Sequence, residues 1–498
     1  MLYFLRRVAI GLHSRSMPDL RPVLFILGLL IAGLGLAMFI PMVVDILYHG
    51  TSWRGFAMSG FISTLIGAML ALSSYTPNIG LRTRSAFLLT ASSWLIIGYF
   101  GGLPFMLQEH AMSLADAYFE TMSGLTTTGS TVMTGLDDAS KGILLWRAML
   151  QWYGGIGIII TAMAILPLLK IGGMQLFSVE WADPMGKILP RARQIAAYLL
   201  LAYTGLTIAC AFSYYLLGVG PFDAICLAMT TLSTGGYANS DASFAAYADG
   251  GADIAACVFM AFAAFPFGAF VLAMRGQLSA VYKNPQVQAM VLILVSITIL
   301  MIGYLHLNPP TGPEPLIRSA AFNVVSVITG TGFSYGDYQT WGIFPVCLLF
   351  VAMFIGGCAG STAGAIKVFR FQVAFEALRA FILKLPHRHA VSPMKYGGQP
   401  LSPAVVYSVM GFIFIYMLCY ALITMALSLI GLDDVTAVSG AATAINNVGP
   451  GFGKIIGPAG TFQSLPDSAK WVLSLAMLLG RLEILPILVV LNPSFWRA

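Results

Sequence analysis

The chain has 498 residues, of which 58% are hydrophobic and only 9% charged, with a formal net charge of +6. Soluble globular domains carry charge on ~25% of their residues, so this composition excludes a soluble enzyme or a nucleic-acid-binding module and indicates a surface spent largely in lipid. The six cysteines stand singly in apolar segments with no CxxC pair, which argues against a disulfide framework or a thiolate metal site.

Taken from the N-terminus, Arg6, Arg7 and Arg15 precede an apolar run at 22–44 that is about twice a ~7–15-residue signal-peptide core, so it is read as a retained helix. Further runs of bilayer length follow at 55–81, 85–108, 148–169, 194–222, 254–274, 284–313, 338–366 and 396–432. A tenth, at 471–490, is broken only by Arg481 and Glu483. Each holds the roughly 20 residues that a spanning helix needs. Ten spans are therefore expected, in an all-α polytopic membrane protein, because helices and closed barrels alone satisfy backbone polar groups in lipid.

Basic residues collect in 1–21, 82–84, 170–193, 275–283, 367–395 and at Arg497, which together hold 19 of the 26 Lys and Arg. The positive-inside rule makes that face cytoplasmic, with both termini inside. The opposite face collects Glu109, Asp116, Glu120, Asp137, Asp138, Asp223, Asp241, Asp249, Asp253, Glu314, Asp337, Asp433, Asp434 and Asp467. Two readings stay open for these acids: tolerated translocated charge, or a ring concentrating cations at an outer mouth.

From residue 85 onward one pattern recurs: a span, a short semi-apolar segment, a glycine turn and a second span. The short segments are 115–125, 222–232, 316–328 and 435–445, and Asp116, Asp223 and Asp433/Asp434 stand near three of their starts, where a carboxylate caps a helix. The third has Glu314 just ahead instead. The turns centre on Thr127, Thr128 and Gly129; on Ser233, Thr234 and Gly235; on Gly330, Thr331 and Gly332; and on Asn447, Val448 and Gly449. Recurrence at roughly 100-residue intervals predicts four copies of one unit around a shared axis. A cation leaving water needs replacement oxygens, and carbonyls from several extended turns supply them. Glycine permits the required backbone angles and leaves the axis unblocked. These twelve residues are the candidate selectivity filter and cation-binding site.

The stretches ETMSGLTTTGSTV, TTLSTGGYANSD, VITGTGFSYGDY, FIGGCAGSTAGAIKVFRF, NNVGPGFG and LLGRLEILP resemble the TrkH/TrkG branch of the Trk/Ktr/HKT superfamily of potassium transporters, over almost the whole chain. The two additional N-terminal helices favour that branch over the shorter Ktr branch. The resemblance implies four pseudo-symmetric span–pore-helix–span repeats around one pore, a homodimer, and a cytosolic TrkA-like ring of nucleotide-binding regulatory subunits in the bacterial inner membrane. It also implies potassium selectivity where glycine holds the key filter position of all four repeats, here Gly129, Gly235, Gly332 and Gly449. The corresponding divisions are 1–84 for the N-terminal pair, then 85–170, 171–283, 284–395 and 396–498 for the repeats.

Two further features lie inside spans. Gly356, Gly357, Gly360, Ser361, Thr362 and Gly364 form a run of small residues that is either a helix-packing face or an interrupted helix. The resemblance implies an intramembrane gate there. Arg481 sits in the last span, where a charge is a functional hypothesis by default. It either pairs with another helix or, as the resemblance implies, forms an electrostatic barrier below the filter, while Glu483 is expected in an inter-helix contact. The segment 367–395, with Arg370, Arg379, Lys384, His387, Arg388, His389 and Lys395, serves either topology and anionic lipid or docking of a soluble regulator.

Enzyme motifs are wanting. Residues 449–454 resemble a phosphate loop superficially, but Ile455 replaces the required Ser or Thr, and the chain has no HExxH or GxSxG. The function read from the sequence is K⁺ uptake through the four turns, with no covalent cofactor and no nucleic-acid partner. The alternative is a secondary symporter coupling K⁺ to H⁺ or Na⁺ on the same scaffold.

Overall fold

The structure, a computed structural model, describes residues 20–76, 83–161, 192–310, 316–386 and 393–497. Arg6, Arg7, Arg15, Arg82, Lys170, Lys187, Arg191, Glu314, His387, Arg388 and His389, which enter the readings above, lie outside the described residues. Among the described residues the fold is helical, apart from a two-residue antiparallel pair, Lys395–Tyr396 with Gln399–Pro400.

An N-terminal pair comes first. Helices α1 (Arg21–Ala37) and α2 (Phe39–Leu47) together make one span, and α3 (Trp53–Ser73) returns beside α1. Small residues let the two backbones approach: a Cβ on Gly28 would collide with the Ala71 backbone, and one on Gly35 with Thr64. Asp45 in α2 is fully buried and accepts from the Ser140 hydroxyl and, at 3.1 Å, from the Gly142 N–H, which ties this pair to the start of α6 (Lys141–Ile160).

The remaining α-helices of seven residues or more are α4 (Thr83–Leu107), α5 (Leu114–Leu125), α7 (Ala192–Leu216), α8 (Pro221–Leu232), α9 (Ala252–Ala263), α10 (Phe267–Ala273) and α11 (Pro285–Leu307). They continue with α12 (Leu316–Thr329), α13 (Ile343–Ala352), α14 (Val368–Lys384), α15 (Pro403–Ile430), α16 (Asp434–Asn446), α17 (Asp467–Arg481) and α18 (Leu485–Leu491). Their starts carry local signals. Proline occupies the first turn of α1, α8, α11 and α15, where its missing N–H costs nothing. The side chains of Ser113 and Asp433 accept from the backbone N–H of Asp116 and Thr436, each at 3.1 Å, and so cap α5 and α16.

Seven described helices are long and apolar enough to cross a membrane, and two bent pairs pass the same test. Of the ten spans expected from the sequence, two bend sharply and a third, where an interrupted helix was one of the two readings, is interrupted. The run at 254–274 bends by 95° between α9 and α10, and that at 471–490 bends by 111° between α17 and α18. The run at 338–366 holds only the ten-residue α13 before non-helical backbone leads into α14. Hydropathy averages over apolar length and does not register these breaks: the residues at 264–266 are apolar, and the two charges at 481 and 483 are diluted by their apolar neighbours.

The broken ends satisfy each other. The carbonyls left free at the end of α9 accept from the segment after α13, Ala264 from the Cys358 N–H at 2.8 Å and Ala263 from the Thr362 N–H at 3.3 Å. In return Phe267, at the start of α10, donates to the Gly360 carbonyl at 3.0 Å. Non-helical backbone at membrane depth persists only where protein supplies such partners. Around this centre, α6 is buried along most of its length, whereas α15 and α11 expose leucines and phenylalanines such as Phe414, Leu429 and Leu292, as a lipid-facing surface requires.

Candidate ion-conducting site

The four short helices α5, α8, α12 and α16 end in the same way. Each stops in a residue of left-handed conformation: Thr127 (φ 52), Thr234 (φ 52), Gly330 (φ 71) and Asn447 (φ 55). That residue donates three positions back, to Gly124, Thr231, Val327 and Ala444, and the next donates five positions back, to Ser123, Thr230, Ser326 and Thr443, at 2.8–3.3 Å. This pair of bonds is the Schellman closure. Glycine is its usual residue, and a β-branched threonine there, as in the first two turns, is strained.

The residue after that closure is again alike in all four turns, a glycine with positive φ: Gly129 (88), Gly236 (77), Gly332 (79) and Gly449 (112). Here the sequence reading is corrected by one position in the second turn. Gly236, not Gly235, matches the other three, and Gly235 aligns with Thr128, Thr331 and Val448. The doubled glycine hid the register. Gly235 is small for a different reason: a Cβ there would enter the Gln151 side chain, whose Nε2 donates to the Gly235 carbonyl at 2.6 Å.

These glycines close a ring. A Cβ on Gly129 would strike the Gly235 carbonyl, one on Gly236 the Thr331 carbonyl, one on Gly332 the Val448 carbonyl, and one on Gly449 would come within 2.8 Å of the Thr128 carbonyl. Each turn thus presses its glycine onto the carbonyl preceding the glycine of the next turn, and the fourth returns to the first. The Ser130 hydroxyl donates to the Gly449 carbonyl at 2.7 Å, and Asn447 donates to the Thr128 hydroxyl at 2.9 Å, which seals that last seam. One cavity of about 260 Å³ is lined by Gly129, Gly236, Gly332 and Gly449 together.

The small-residue segment lies against this ring. Every residue from Gly356 to Arg370 is buried. Thr362 donates its hydroxyl to the carbonyls of Leu232, at the end of α8, and Ala263, at 3.1 and 3.0 Å. A Cβ on Gly364 would strike the Asn446 carbonyl, directly before the fourth turn. Gly360 has positive φ, Gly357 lies against the Ala264 carbonyl, and Ser361 donates to the Cys358 carbonyl at 2.6 Å. Arg481 is 3% exposed and its Nη1 donates to the Thr362 carbonyl at 2.6 Å. The four turns, the small-residue loop and Arg481 are therefore brought together.

Comparison with known proteins decides the family. The TrkH family, described as cation transport proteins, matches residues 54–301 and 285–497. The chain belongs to the TrkH family. It is 43% identical to the Trk system potassium uptake protein TrkI of Halomonas elongata, over 96% of this chain and 97% of that protein. It is 35% identical to the Trk system potassium uptake protein TrkH of Escherichia coli K12, over 96% and 99%. The crystal structure of the potassium transporter TrkH from Vibrio parahaemolyticus superposes with a TM-score of 0.88 at 36% identity, covering 96% of this chain and 99% of that one. TrkH is a transporter family, not an enzyme family.

Several residues of this TrkH-family chain were misplaced or missed by sequence reasoning. Four of the acids expected around an outer mouth are engaged in other contacts. Asp116 pairs with Lys470 at 2.5 Å, Asp253 pairs with Arg318, and Asp223 accepts from Asn239 at 2.8 Å. Glu120 is fully buried and pairs with Arg147 at 2.8 Å. Of these acids, Asp241 alone among the described residues lines the cavity. Arg370 does not belong to an exposed basic segment: it is buried, pairs with Glu483 at 2.5 Å and lies 3.7 Å over the Phe412 ring. Lys367 is buried too, with its Nζ on the Ala363 carbonyl. A charged residue at the edge of an apolar run was the available signal for Arg147, Lys367 and Arg370, and Gln151, polar within a span, was another.

Proposed function

We propose that this chain takes up potassium across the bacterial inner membrane, through a selectivity filter built by the four turns. The observation that carries this reading is the closed ring, in which the glycines of all four turns line one cavity and each abuts the next turn's carbonyl. A ring of carbonyls replaces the hydration shell of an alkali cation without a fixed negative charge. The filter comprises Thr127, Thr128 and Gly129; Thr234, Gly235 and Gly236; Gly330, Thr331 and Gly332; and Asn447, Val448 and Gly449. Relatives that carry the name potassium uptake protein over almost the full length support potassium as the cargo.

The divisions 85–170, 171–283, 284–395 and 396–498 act as four pore repeats, with 1–84 as an accessory pair and both termini cytoplasmic. The loop containing Gly356, Gly357, Gly360, Ser361, Thr362 and Gly364 gates the path below the ring, and Arg481 holds it shut through the Thr362 carbonyl. A homodimer regulated by a cytosolic nucleotide-binding ring completes the assembly, as the family resemblance implies. The test is rubidium uptake in cells lacking their own potassium systems, with sodium as competitor. Uptake that resists sodium is expected, and uptake abolished by equimolar sodium would overturn the selectivity.

A further inference from the structure

We propose that the buried Glu120–Arg147 pair is a specificity-determining strut, which holds the first and second turns in the register that separates potassium from sodium. The inference rests on the reading of the ring as a potassium filter. Neither residue belongs to the filter, and both act through backbone that does, so they are positioning residues.

The geometry is specific to this seam. The Glu120 carboxylate accepts from the Val132 N–H at 2.9 Å and from the Thr131 hydroxyl at 3.0 Å, and so grips the outgoing limb of the first turn. Arg147 donates through Nε to Glu120 at 2.8 Å and through Nη1 to the Ala238 carbonyl at 3.0 Å, on the outgoing limb of the second turn. Its guanidinium lies 4.1 Å over the Tyr237 ring, and the Tyr237 hydroxyl donates to the Glu120 and Ser130 carbonyls at 2.8 and 3.2 Å. One turn further along α6, Gln151 bridges the Gly235 carbonyl and the Tyr237 N–H, the latter at 3.1 Å.

The other turns show what is special here. In the third, Asn323 occupies the place of Glu120 and its side chain accepts from the Tyr335 N–H at 3.1 Å, as Glu120 does from Val132. In the fourth, Gly440 leaves the place empty and the neighbouring Ser439 accepts from the Phe452 N–H at 3.0 Å. In the second, Leu227 stands there and Gln151 reaches in from α6. A neutral side chain therefore suffices to hold one limb. A carboxylate is needed where a guanidinium must also be buried, and the guanidinium is needed to tie two limbs at once. Because Arg147 also lines the cavity, its charge beside a cation path must be neutralised, and Glu120 does that.

The experiment uses the full chain purified into liposomes, with potassium and sodium fluxes measured separately on protein that elutes as a single folded species. Glu120→Gln and Arg147→Gln are each expected to lower the potassium-to-sodium flux ratio by about tenfold, the scale of one lost hydrogen bond to a charged group. Where a single variant does not fold, the double variant E120Q/R147Q leaves no lone buried charge and keeps an acceptor for the Val132 N–H. It still loses the bond to Ala238, so a lowered ratio is expected there as well. Folded variants with an unchanged ratio, whatever their yield or total flux, would overturn the strut. Gly129→Ser is run alongside. If it shifts the ratio while the strut variants do not, only this inference fails; if it shifts nothing, the filter reading fails with it.

Discussion

The ring of turns and the loop beneath it are both buried, glycine-rich and non-helical at membrane depth, yet they are held in opposite ways. Each turn is closed by bonds to its own helix, five and three residues back, so its shape is written in about eight consecutive residues. The loop at 356–364 is held mainly from outside. Its partners are the free carbonyls of α9, the Gln286 side chain that accepts from the Ala359 N–H at 2.8 Å, and Arg481 of α17. A turn keeps its form wherever its helix goes, whereas the loop keeps its form only while three other elements stay in place. That division is what the proposed function requires, a fixed filter and a movable gate.

The largest expected effect comes from the link between the loop and the bent last span. Glu483 sits at positive φ between α17 and α18 and pairs with buried Arg370 at the start of α14. Glu483→Gln removes the carboxylate that Arg370 pairs with, and breaking a buried pair from one side costs roughly 3–5 kcal/mol. Thermal unfolding in detergent should show that loss. An unfolding midpoint equal to that of the native chain would place the pair outside the scaffold that holds the loop.

Next in size is the ring itself. Gly332→Ala forces a side chain into left-handed backbone and onto the Val448 carbonyl, a strain of about 1–3 kcal/mol. Because a turn is locally determined, the protein should fold and discriminate potassium from sodium poorly, by about tenfold or more if that strain falls on ion binding. Unchanged sodium competition against rubidium uptake would argue that the turns are packing features. For the loop, Arg481→Ala removes one external hold while leaving the ring intact. Basal rubidium leak in liposomes should rise several-fold, and potassium-to-sodium discrimination should stay as it was. A shift in discrimination instead would mean that ring and loop are not separable.

The same contrast explains what was legible in the sequence. The four turns were readable because their signal is local: a short helix, a left-handed residue and a glycine. The error of one position between Gly235 and Gly236 arose where two glycines stand together for different reasons, one conformational and one to clear Gln151. The run of small residues at 356–364 offered an interrupted helix, but the break at 264–266 was not readable, because its hydrogen bonds run to a segment about 95 residues away. At 482–484 the charges of Arg481 and Glu483 marked the place without showing that the helix bends there. Likewise Glu120 passed for a surface acid and Arg370 for a cytoplasmic base. Only the tertiary structure shows that Arg147 and Glu483 neutralise them.

The smallest effect is expected away from both regions, at the N-terminus of α16. Asp433 caps that helix through the Thr436 N–H, and the hydroxyl and N–H of Thr436 beside it hold its carboxyl below the usual range. A carboxylate with a depressed folded value adds stability that is present above the ordinary carboxylate range and lost as pH falls through the folded value. Asp433→Ala should cost about 1 kcal/mol at neutral pH. Asp433→Asn keeps the cap but not the charge at the positive end of the helix, so it should cost less. The gap between native chain and Asp433→Asn should then close on acidification, while the gap to Asp433→Ala persists in part. Neither variant should alter ion discrimination, because the fourth turn is closed by Thr443 and Ala444, nearly three helical turns away. A change in discrimination on removing this cap would show that the turns take their shape from the whole helix.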